Sequence, residues 1–445
     1  MRLKLLIPLL LLILAGAVAC TAGELLTEPT PSSAAVAPTE RSTESIAEAT
    51  AAPITAVPPG STDPDAVRTT LTTMLLHSLT VSVPVTSGVG IEGAVAFPLE
   101  TTDGSVLWLA HTIGIHSFEP EQNHLMALYR PADDGWVEVA RAEFATSDDP
   151  NAPGVSPDYL GEDGVSQVVI EPTQIWIQVE GGVGAHSGVY GLFRFDGSTL
   201  TQELDGFSAS PGVGEIKDLN GDGINEVLLD STDYYVFCYA CGVREILYSI
   251  WYWDGTTMVP VTLQPLSAAA TDAVRAFNEQ LLALVDAGLW KDAQALLDEA
   301  MLFSYTEPAF QWNLLYVRVN AEARQAAAAE EGAYPLLSQV FYGDYAAAVA
   351  TMQELGAAGL FTPETPLIVG TVAEGWQAEV ADRLTSNASA ALEAQPGLAA
   401  AYFVRGWGEY VRNFDATAAV SDLQQAAALA PDMALYQQSL ALVTE

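Results

Sequence analysis

The feature that most limits the fold is an abrupt change in composition near residue 265. Residues 80–265 contain 12 Ala in 186 positions, whereas residues 268–445 contain 43 Ala in 178. The first stretch is rich in Val, Tyr, Trp, Thr and Gly and alternates in polarity, which is typical of strands and hairpins. The second has long Ala, Leu, Glu and Gln runs at helical spacing. The sequence therefore predicts a multidomain protein, with an all-β domain over 65–265, entered through a short helix at 65–79, and an all-α domain over 266–445.

The β region contains an internal repeat of Asp-Gly pairs. Three pairs lie 60 and 59 residues apart, and three more follow them at 31, 33 and 32 residues. Apolar or aromatic segments flank the pairs, such as SVLWLA, VSQVVI and INEVLL after the first three. A fixed period indicates stacked units of one type, so we predict three β modules of about 60 residues. The pairs are Asp103-Gly104, Asp163-Gly164, Asp222-Gly223, Asp134-Gly135, Asp196-Gly197 and Asp254-Gly255.

One loop of the β region carries oxygen ligands at alternate positions. The segment DLNGDGINE spans residues 218–226 and has its second glycine at position 6. Calcium takes six to eight oxygens, and a glycine at that position permits the sharp turn. We therefore predict calcium as a cofactor, or else an ordinary Asn/Asp/Gly turn without metal. The predicted ligands are the side chains of Asp218, Asn220, Asp222 and Glu226 and the backbone carbonyl of Ile224.

This loop and its repeat resemble the FG-GAP/VCBS modules of β-propellers and integrin-type repeats. In those modules the loop lies at a strand hairpin, and its ninth position supplies a carboxylate. The resemblance covers about residues 80–265 and implies propeller-blade-like modules, arranged as a partial propeller or a twisted β-sandwich. Leu99 and Tyr159 stand in the first two modules where Asp218 stands in the third. The resemblance therefore implies a single calcium-type loop.

Cys238 and Cys241 form the motif CYAC. An isolated CxxC is compatible with a redox pair, half of a zinc site or a structural disulfide. A zinc site needs a second ligand pair, and a redox motif lies at the start of a helix. CYAC instead aligns with VEGG of the second module, which we interpret as a hairpin loop. We therefore predict a structural disulfide, which an oxidising compartment favours.

The first 19 residues have the features of an export signal. Arg2 and Lys4 precede the apolar run LLIPLLLLILAGAVA, and Cys20 follows directly. The run is too short and too close to the N-terminus for a well-flanked membrane span. The arrangement resembles the bacterial lipoprotein signal, with Ala17 where that family usually has Leu. The resemblance implies a lipid on Cys20 and an anchor on the extracytoplasmic face of the cell membrane; the alternative is an ordinary secreted protein.

Residues 20–64 have the composition of a tether. Positions 21–64 contain seven Pro and no Phe, Trp or Tyr. Such a segment cannot bury enough apolar area to become ordered. We predict a disordered linker that holds the folded part away from the lipid surface.

The helical region resembles tetratricopeptide (TPR) repeats. The segment at 343–355 repeats a TPR turn and second helix, AALEAQP ends a third helix pair, and residues 400–431 form a fourth. The resemblance implies stacked helix pairs, whereas the alternative is a generic Ala-rich bundle. In the first repeat, the residues that match family positions are Phe277, Leu281, Leu284, Gly288, Trp290, Ala293, Leu297 and Ala300.

The same resemblance implies a partner-binding stripe in the last repeat. First-helix positions line the concave groove in TPR families, and here they include Phe403, Trp407 and Tyr410. Aromatic side chains give a large contact area and often anchor peptides. We predict a protein or peptide partner at this stripe. The equally weighted alternative is that the three rings pack against a C-terminal capping helix at 432–444.

Charge and missing motifs limit the function. The chain has 16 Lys+Arg against 56 Asp+Glu, a net charge of −40, which disfavours nucleic acid and leaves only the lipid anchor as a membrane contact. GxSxG, HExxH, SxxK and P-loop motifs are absent. His111, His116 and His124 match no metal-ligand spacing and are interpreted as surface or strand residues.

We therefore predict a non-catalytic binding or scaffold protein, lipid-anchored and extracytoplasmic. The main alternative is a cell-envelope glycan-acting enzyme with its site in the β region. A clustered pair of carboxylates in a deep cleft there would favour it. A third interpretation is a structural spacer of the envelope.

Overall fold

The computed structural model describes residues 63–79, 90–118, 121–146, 152–300, 305–330 and 332–445. The predicted export signal, Cys20 and nearly all of the predicted tether lie outside the described residues. The predicted order, a β region followed by a helical region, is confirmed. All described residues belong to one compact unit that spans Thr55–Glu445. Among them, none of the helices combines the length and apolar character needed to cross a bilayer.

Helix α1 (Pro64–His77) precedes the strands, close to the predicted 65–79. It begins after Asp63, whose carboxylate accepts a hydrogen bond from the backbone N–H of Asp65, as N-capping residues do. Its apolar side packs on strands β1 (Ile91–Leu99) and β2 (Leu107–Ile115), where Leu71 and Leu75 are fully buried. The helix therefore covers one face of the first sheet.

Antiparallel strands form a nine-stranded sheet, a separate four-stranded sheet and a two-stranded ribbon, β3-β4. The first sheet has the order β11-β10-β9-β7-β2-β5-β6, with β1 paired to β2 and β8 paired to β9. The second is the meander β12-β13-β14-β15. The remaining strands are β3 (Ser117–Phe118), β4 (Glu121–Gln122), β5 (Leu125–Ala132), β6 (Gly135–Glu143), β7 (Tyr159–Leu160), β8 (Val165–Val168), β9 (Ile175–Val183), β10 (Ser187–Phe195), β11 (Leu200–Ser208), β12 (Gly214–Lys217), β13 (Glu226–Asp230), β14 (Tyr248–Trp253) and β15 (Met258–Pro260).

All six Asp-Gly pairs lie where one strand ends and the next begins. Five of their glycines have positive φ, between 72° and 141°, which glycine adopts without the steric cost of a side chain. The interpretation of VEGG as a hairpin loop is wrong, because residues 179–182 lie within strand β9. That strand pairs with β10 along its full length and with β8 over its first half, so its backbone is committed to the sheet.

The described residues from 272 to 445 contain ten helices. Helices α8 to α11 pack in sequence, each against the next. AALEAQP ends α8, which packs on α5 and α2 from earlier in the chain and follows turns over residues 361–376. Pro363, Pro366, Gly370 and Gly375 interrupt helix formation there. The helices are α2 (Asp272–Asp286), α3 (Trp290–Ala300), α4 (Pro308–Ala329), α5 (Pro335–Tyr342), α6 (Tyr345–Gln353), α7 (Gly356–Leu360), α8 (Gln377–Ala394), α9 (Ala399–Asn413), α10 (Ala416–Leu429) and α11 (Ala434–Thr444).

Candidate functional site

The acidic loop at 218–226 connects strands β12 and β13. Lys217 and Glu226 are paired residues of the two strands, so the loop closes a hairpin. Gly221 and Gly223 have φ of 81° and 88°, a conformation that favours glycine. The sequence DLNGDGINE therefore folds into a tight turn that starts and ends on a strand pair.

Hydrogen bonds turn the side chains of this loop inward. The carboxylate of Asp218 accepts from the backbone N–H groups of Gly221 and Gly223, at 2.7 and 3.1 Å. Oδ1 of Asn220 accepts from the N–H of Asp222, and Oδ1 of Asp222 accepts from the N–H of Ile224, each at 2.8 Å. These side chains replace the backbone partners that a turn lacks.

Glu226 differs from the other acidic side chains of the loop because it is buried, with 1% of its surface exposed. Its carboxylate accepts from the N–H of Leu219 at 2.8 Å and from Nδ2 of Asn220 at 3.0 Å. Burial raises the pKa of Glu226 to about 7; the bond from Leu219 opposes this shift, and the charges of Asp222 and Asp218 add to it. An ionised Glu226 therefore needs a positive partner.

The donor set of the loop fits calcium. Nδ2 of Asn220 donates to both Asp222 and Glu226 at 3.0 Å, so one amide group lies between two carboxylates. None of the ion pairs between described residues involves Asp218, Asp222 or Glu226. Within the same residues, no group of three or more His, Cys, Asp or Glu side chains is already gathered as a metal site. A calcium ion would be held by side-chain oxygens of Asp218, Asn220, Asp222 and Glu226 and by the carbonyl of Ile224.

The cysteines lie in the connection between strands β13 and β14. Cys238 and Cys241 form a disulfide, and residues 239–241 make one turn of 3-10 helix. Strands β13 and β14 pair antiparallel, and Asp233 and Glu245 form one further bridge beyond them, so the cysteines lie in the long loop of a strand hairpin. Tyr239 lies between the two cysteines. Its ring stacks on the ring of His186, in the turn between β9 and β10, with ring centroids 3.7 Å apart.

The aromatic stripe of the last repeat lies inside the helical region. Phe403 and Trp407 are 0% exposed, and Tyr410 is 3% exposed. The ring of Phe403 stacks on Tyr436 of α11 at 4.8 Å, and Nε1 of Trp407 donates to the carbonyl of Leu360 at 3.1 Å. A partner cannot reach these rings in this structure. The alternative, packing against a C-terminal helix, is confirmed for Phe403, whereas Trp407 bonds to Leu360 and Tyr410 packs on Phe361.

Buried polar side chains of helix α4 hold the helical region to the β region. Asn320 accepts from the backbone N–H of Tyr248 at 2.7 Å and donates to its carbonyl at 3.1 Å. Asn313 makes the same pair of bonds to Gln264, at 3.0 and 2.7 Å. Arg324, one turn beyond Asn320, lies 3.6 Å from the carboxylate of Glu245. We call this contact surface between α4 and residues 245–264 the junction.

Two cavities were not expected from the sequence. One, of about 420 Å³, separates the acidic loop from α4 at the junction. We call it the junction cavity, and its lining residues are Leu219, Asn220, Asp222, Pro308, Gln311, Trp312, Leu314, Leu315 and Arg318. The other, of about 790 Å³, lies at the turns of the first sheet and includes Glu100, Asp103, Arg130, Glu171, Arg194 and Asp196; we call it the β cleft.

Three of the four carboxylates that line the β cleft, those of Asp103, Glu171 and Asp196, accept hydrogen bonds within their own turns. Asp103 accepts from the N–H of Ser105 at 2.9 Å, and Asp196 accepts from the N–H groups of Ser198 and Thr199 at 2.9 and 2.8 Å. These hydrogen bonds lower the pKa of both aspartates. Glu171 is buried, and its Oε2 accepts from the hydroxyl of Thr173 at 2.6 Å. The two aspartates therefore stay ionised, which suits a turn and not a proton donor.

The three histidines of the first module are buried, so a surface location is wrong for them, while His111 lies in strand β2 as a strand residue. Nδ1 of His124 lies 3.1 Å from the hydroxyl of Thr112, and Nδ1 of His111 lies 3.1 Å from the carbonyl of Thr112. Burial lowers the pKa of His124 to about 4, and the charges of His116 and His111 add to that shift. The imidazole of His124 is therefore neutral at pH 7 and is part of the packing of the sheet.

No protein-family model matches this chain, and no curated protein matches its sequence.

Proposed function

We propose that the protein is a non-catalytic binding or scaffold protein of the extracytoplasmic face, in which calcium in the acidic loop braces the junction. One observation carries the proposal. The buried carboxylate of Glu226 faces Asp222 across a single amide group. Two carboxylates in such a position are a strong acceptor for a hard cation. Without a cation, burial and mutual repulsion hold the pKa of Glu226 near 7.

The loop can act on the junction through strand β13. Glu226 is the first residue of that strand, and Leu228 packs with Leu315 of α4 and Ile250 of β14 in one apolar cluster. Leu219, inside the loop, packs on the edge of the same cluster. A cation that holds the loop in one conformation should therefore also hold strand β13, on which α4 packs. The binding role follows from this arrangement, because a braced junction keeps the junction cavity in one shape.

Isothermal titration calorimetry with calcium tests this proposal. The chain from residue 20 should bind one calcium ion, and Asp222→Ala should abolish that heat. Asp254→Ala is the matched control, because Asp254 also precedes glycine in a strand turn and accepts from the N–H of Thr256 at 2.7 Å. Equal calcium heats for wild type and Asp222→Ala would remove the loop from the proposal.

The finer architecture belongs to the same proposal. Strands β1-β2-β5-β6, β8-β9-β10-β11 and β12-β13-β14-β15 each pair in an antiparallel four-stranded series, which supports three blade-like modules of one origin. The helix pairs α2-α3 and α9-α10 support TPR-like stacking. A protein made of residues 266–445 alone would test the division: an independent repeat array folds without the β region, whereas a dependent one aggregates or unfolds.

We also propose that a lipid on Cys20 anchors the protein to the membrane. The disulfide between Cys238 and Cys241 supports an oxidising compartment. Cys20→Ser should block lipid attachment and release the protein from the membrane fraction. Partitioning of this variant into detergent to the same extent as wild type would exclude the anchor.

A glycan-acting enzyme is the second candidate, favoured by the β cleft. Glu171 is more than nine-tenths buried, and its Oε1 accepts none of the hydrogen bonds between described residues. A buried carboxyl with a free oxygen is a candidate for the general acid of a glycan-acting site. Hydrolysis of envelope glycan fragments by wild type, lost in Glu171→Gln, would establish this candidate in place of the non-catalytic one.

A further inference from the structure

The junction cavity runs along three turns of helix α4. Pro308, Gln311, Leu315 and Arg318 face it at helical spacing, and the acidic loop forms the opposite wall. Ten residues of helix cover about 15 Å, so the cavity is elongated. Its volume of about 420 Å³ lies in the range of about 300–1,000 Å³ that small-ligand sites occupy.

Arg318 forms none of the ion pairs found between the described residues. Nine of the thirteen Lys and Arg side chains in the described residues form ion pairs. Arg244 lies over the ring of Tyr234. Arg318 takes part in neither kind of contact among the described residues, although the chain contains 56 acidic residues. Because acidic groups are so abundant, an exposed arginine at a cavity wall is available for an external anion.

Five of the other eight residues that line the cavity are apolar. Trp312 stacks on Tyr252 of strand β14 with ring centroids 4.6 Å apart, which fixes the indole. Leu315 is buried in the junction, and Leu219 and Leu314 complete the apolar wall. A rigid aromatic and aliphatic surface loses little entropy when a ligand covers it. The cavity therefore offers an apolar surface with a positive charge at one end.

Polar atoms at the rim suit a peptide backbone. Nε2 of Gln311 donates to the carbonyl of Tyr305 at 2.7 Å, and its Oε1 forms none of the hydrogen bonds between described residues. Asp222 and Asn220 lie on the loop side of the same rim. Side-chain oxygens at these positions can accept hydrogen bonds from peptide N–H groups.

We propose that the junction cavity binds the C-terminal residue of a peptide, with its carboxylate on Arg318 and its apolar side chain against Trp312 and Leu315. The inference deepens the proposed binding role and rests on it. It relocates the partner site from α9, where the aromatic rings are buried, to α4. A free carboxylate attached to an apolar side chain is the chemistry that matches both ends of the cavity.

N-Acetyl-L-phenylalanine, its neutral amide N-acetyl-L-phenylalaninamide and the cation phenethylamine are the probes for this site. Calorimetric titration into the chain from residue 20 should show tighter binding of the acid than of the amide. A charge-assisted hydrogen bond contributes about 1.5–3 kcal/mol. Arg318→Gln should therefore lower the affinity for N-acetyl-L-phenylalanine by about tenfold or more. The amide should bind equally well to wild type and to this variant.

Arg130→Gln is the matched control. Arg130 lines the β cleft, is exposed and is in none of the ion pairs between described residues. This variant removes the same charge from the chain and should bind the acid as wild type does. The proposal is overturned if the acid and the amide bind with equal affinity, or if both arginine variants lose the same affinity for the acid. It is also overturned if phenethylamine binds more tightly than the acid, or if none of the probes binds.

Titrations in calcium and in chelator separate this inference from the proposed calcium site. A normal calcium heat without preference for the acid refutes the peptide site alone. An acid preference that depends on Arg318, in a protein without a calcium heat, refutes the calcium site alone.

Discussion

The junction and the surroundings of helix α9 hold their helices in different ways. At the junction, Asn313 and Asn320 grip extended backbone with paired hydrogen bonds. Around α9, Phe403 and Trp407 are enclosed by aromatic and aliphatic side chains of other helices. Hydrogen bonds are directional, whereas apolar contacts are not. The junction therefore sets an orientation between two regions, and the packing around α9 supplies stability within one region.

The largest effect is expected from the apolar side of this comparison. Trp407→Ala removes a fully buried indole and should lower the free energy of unfolding by about 3–5 kcal/mol. Thermal denaturation measures this loss, while the affinity for calcium should stay unchanged at temperatures where the variant is folded. Leu442→Ala is the control, because Leu442 is 40% exposed on α11. A loss below about 1 kcal/mol for Trp407→Ala would show that the ring is not part of the core.

Acid should destabilise the protein through the buried histidine of the β region, whereas the amide side chains of the junction do not titrate. The folded protein keeps His124 neutral because its pKa is lowered to about 4, whereas an unfolded histidine has a pKa near 6.5. The unfolded chain therefore takes up a proton first as the pH falls. The free energy of unfolding should therefore be highest above pH 6.5 and should fall by about 3 kcal/mol between pH 6.5 and pH 4 because of His124.

Denaturant titrations at several pH values measure this slope. His124→Gln should flatten it between pH 6.5 and 4. His77→Gln, at the exposed end of α1, is the control and should keep the wild-type slope. Identical slopes in His124→Gln and wild type would show that the buried imidazole is not the source of acid sensitivity.

A smaller effect is expected when one junction amide is removed. Asn320→Ala leaves the backbone N–H and carbonyl of Tyr248 without their partner and should cost about 1–3 kcal/mol. Hydrogen exchange should accelerate at the Tyr248 amide before it does in the core of the first sheet. Asn123→Ala is the control, because Asn123 bonds only to the exposed side chain of Glu143. Unchanged exchange at Tyr248 would mean that apolar contacts alone hold the junction.

Local patterns explain most of what could be predicted from the sequence. The Ala border predicts the change from strands to helices, and each Asp-Gly pair predicts a strand end because glycine readily adopts positive φ. VEGG failed as a hairpin prediction because its two glycines, Gly181 and Gly182, pair with strand β10 instead of forming a turn. The close approach of Pro157 accounts for Gly181, since a Cβ there would lie 2.4 Å from the Pro157 side chain.

Contacts between distant parts of the chain could not be predicted. Asn320 and Tyr248 are 72 residues apart, and Asn313 and Gln264 are 49 apart. No periodicity marks such pairs, so neither the junction nor its cavity was expected. The aromatic stripe on α9 gave a misleading signal for the same reason, because Tyr436 and Leu360 cover it from other helices. A helical face with aromatic residues is equally consistent with a groove and with a core until its neighbours are known.

The thermal midpoint of the chain from residue 20, in calcium and in chelator, tests the central claim most directly. A ligand that binds only the folded state, at 100 times its dissociation constant, adds about 2.7 kcal/mol to the free energy of unfolding. The midpoint should therefore rise with calcium in wild type and in Asp254→Ala, and should not respond in Asp222→Ala. An identical wild-type midpoint in chelator and in millimolar calcium would contradict the calcium-braced junction and leave residues 218–226 as an ordinary turn.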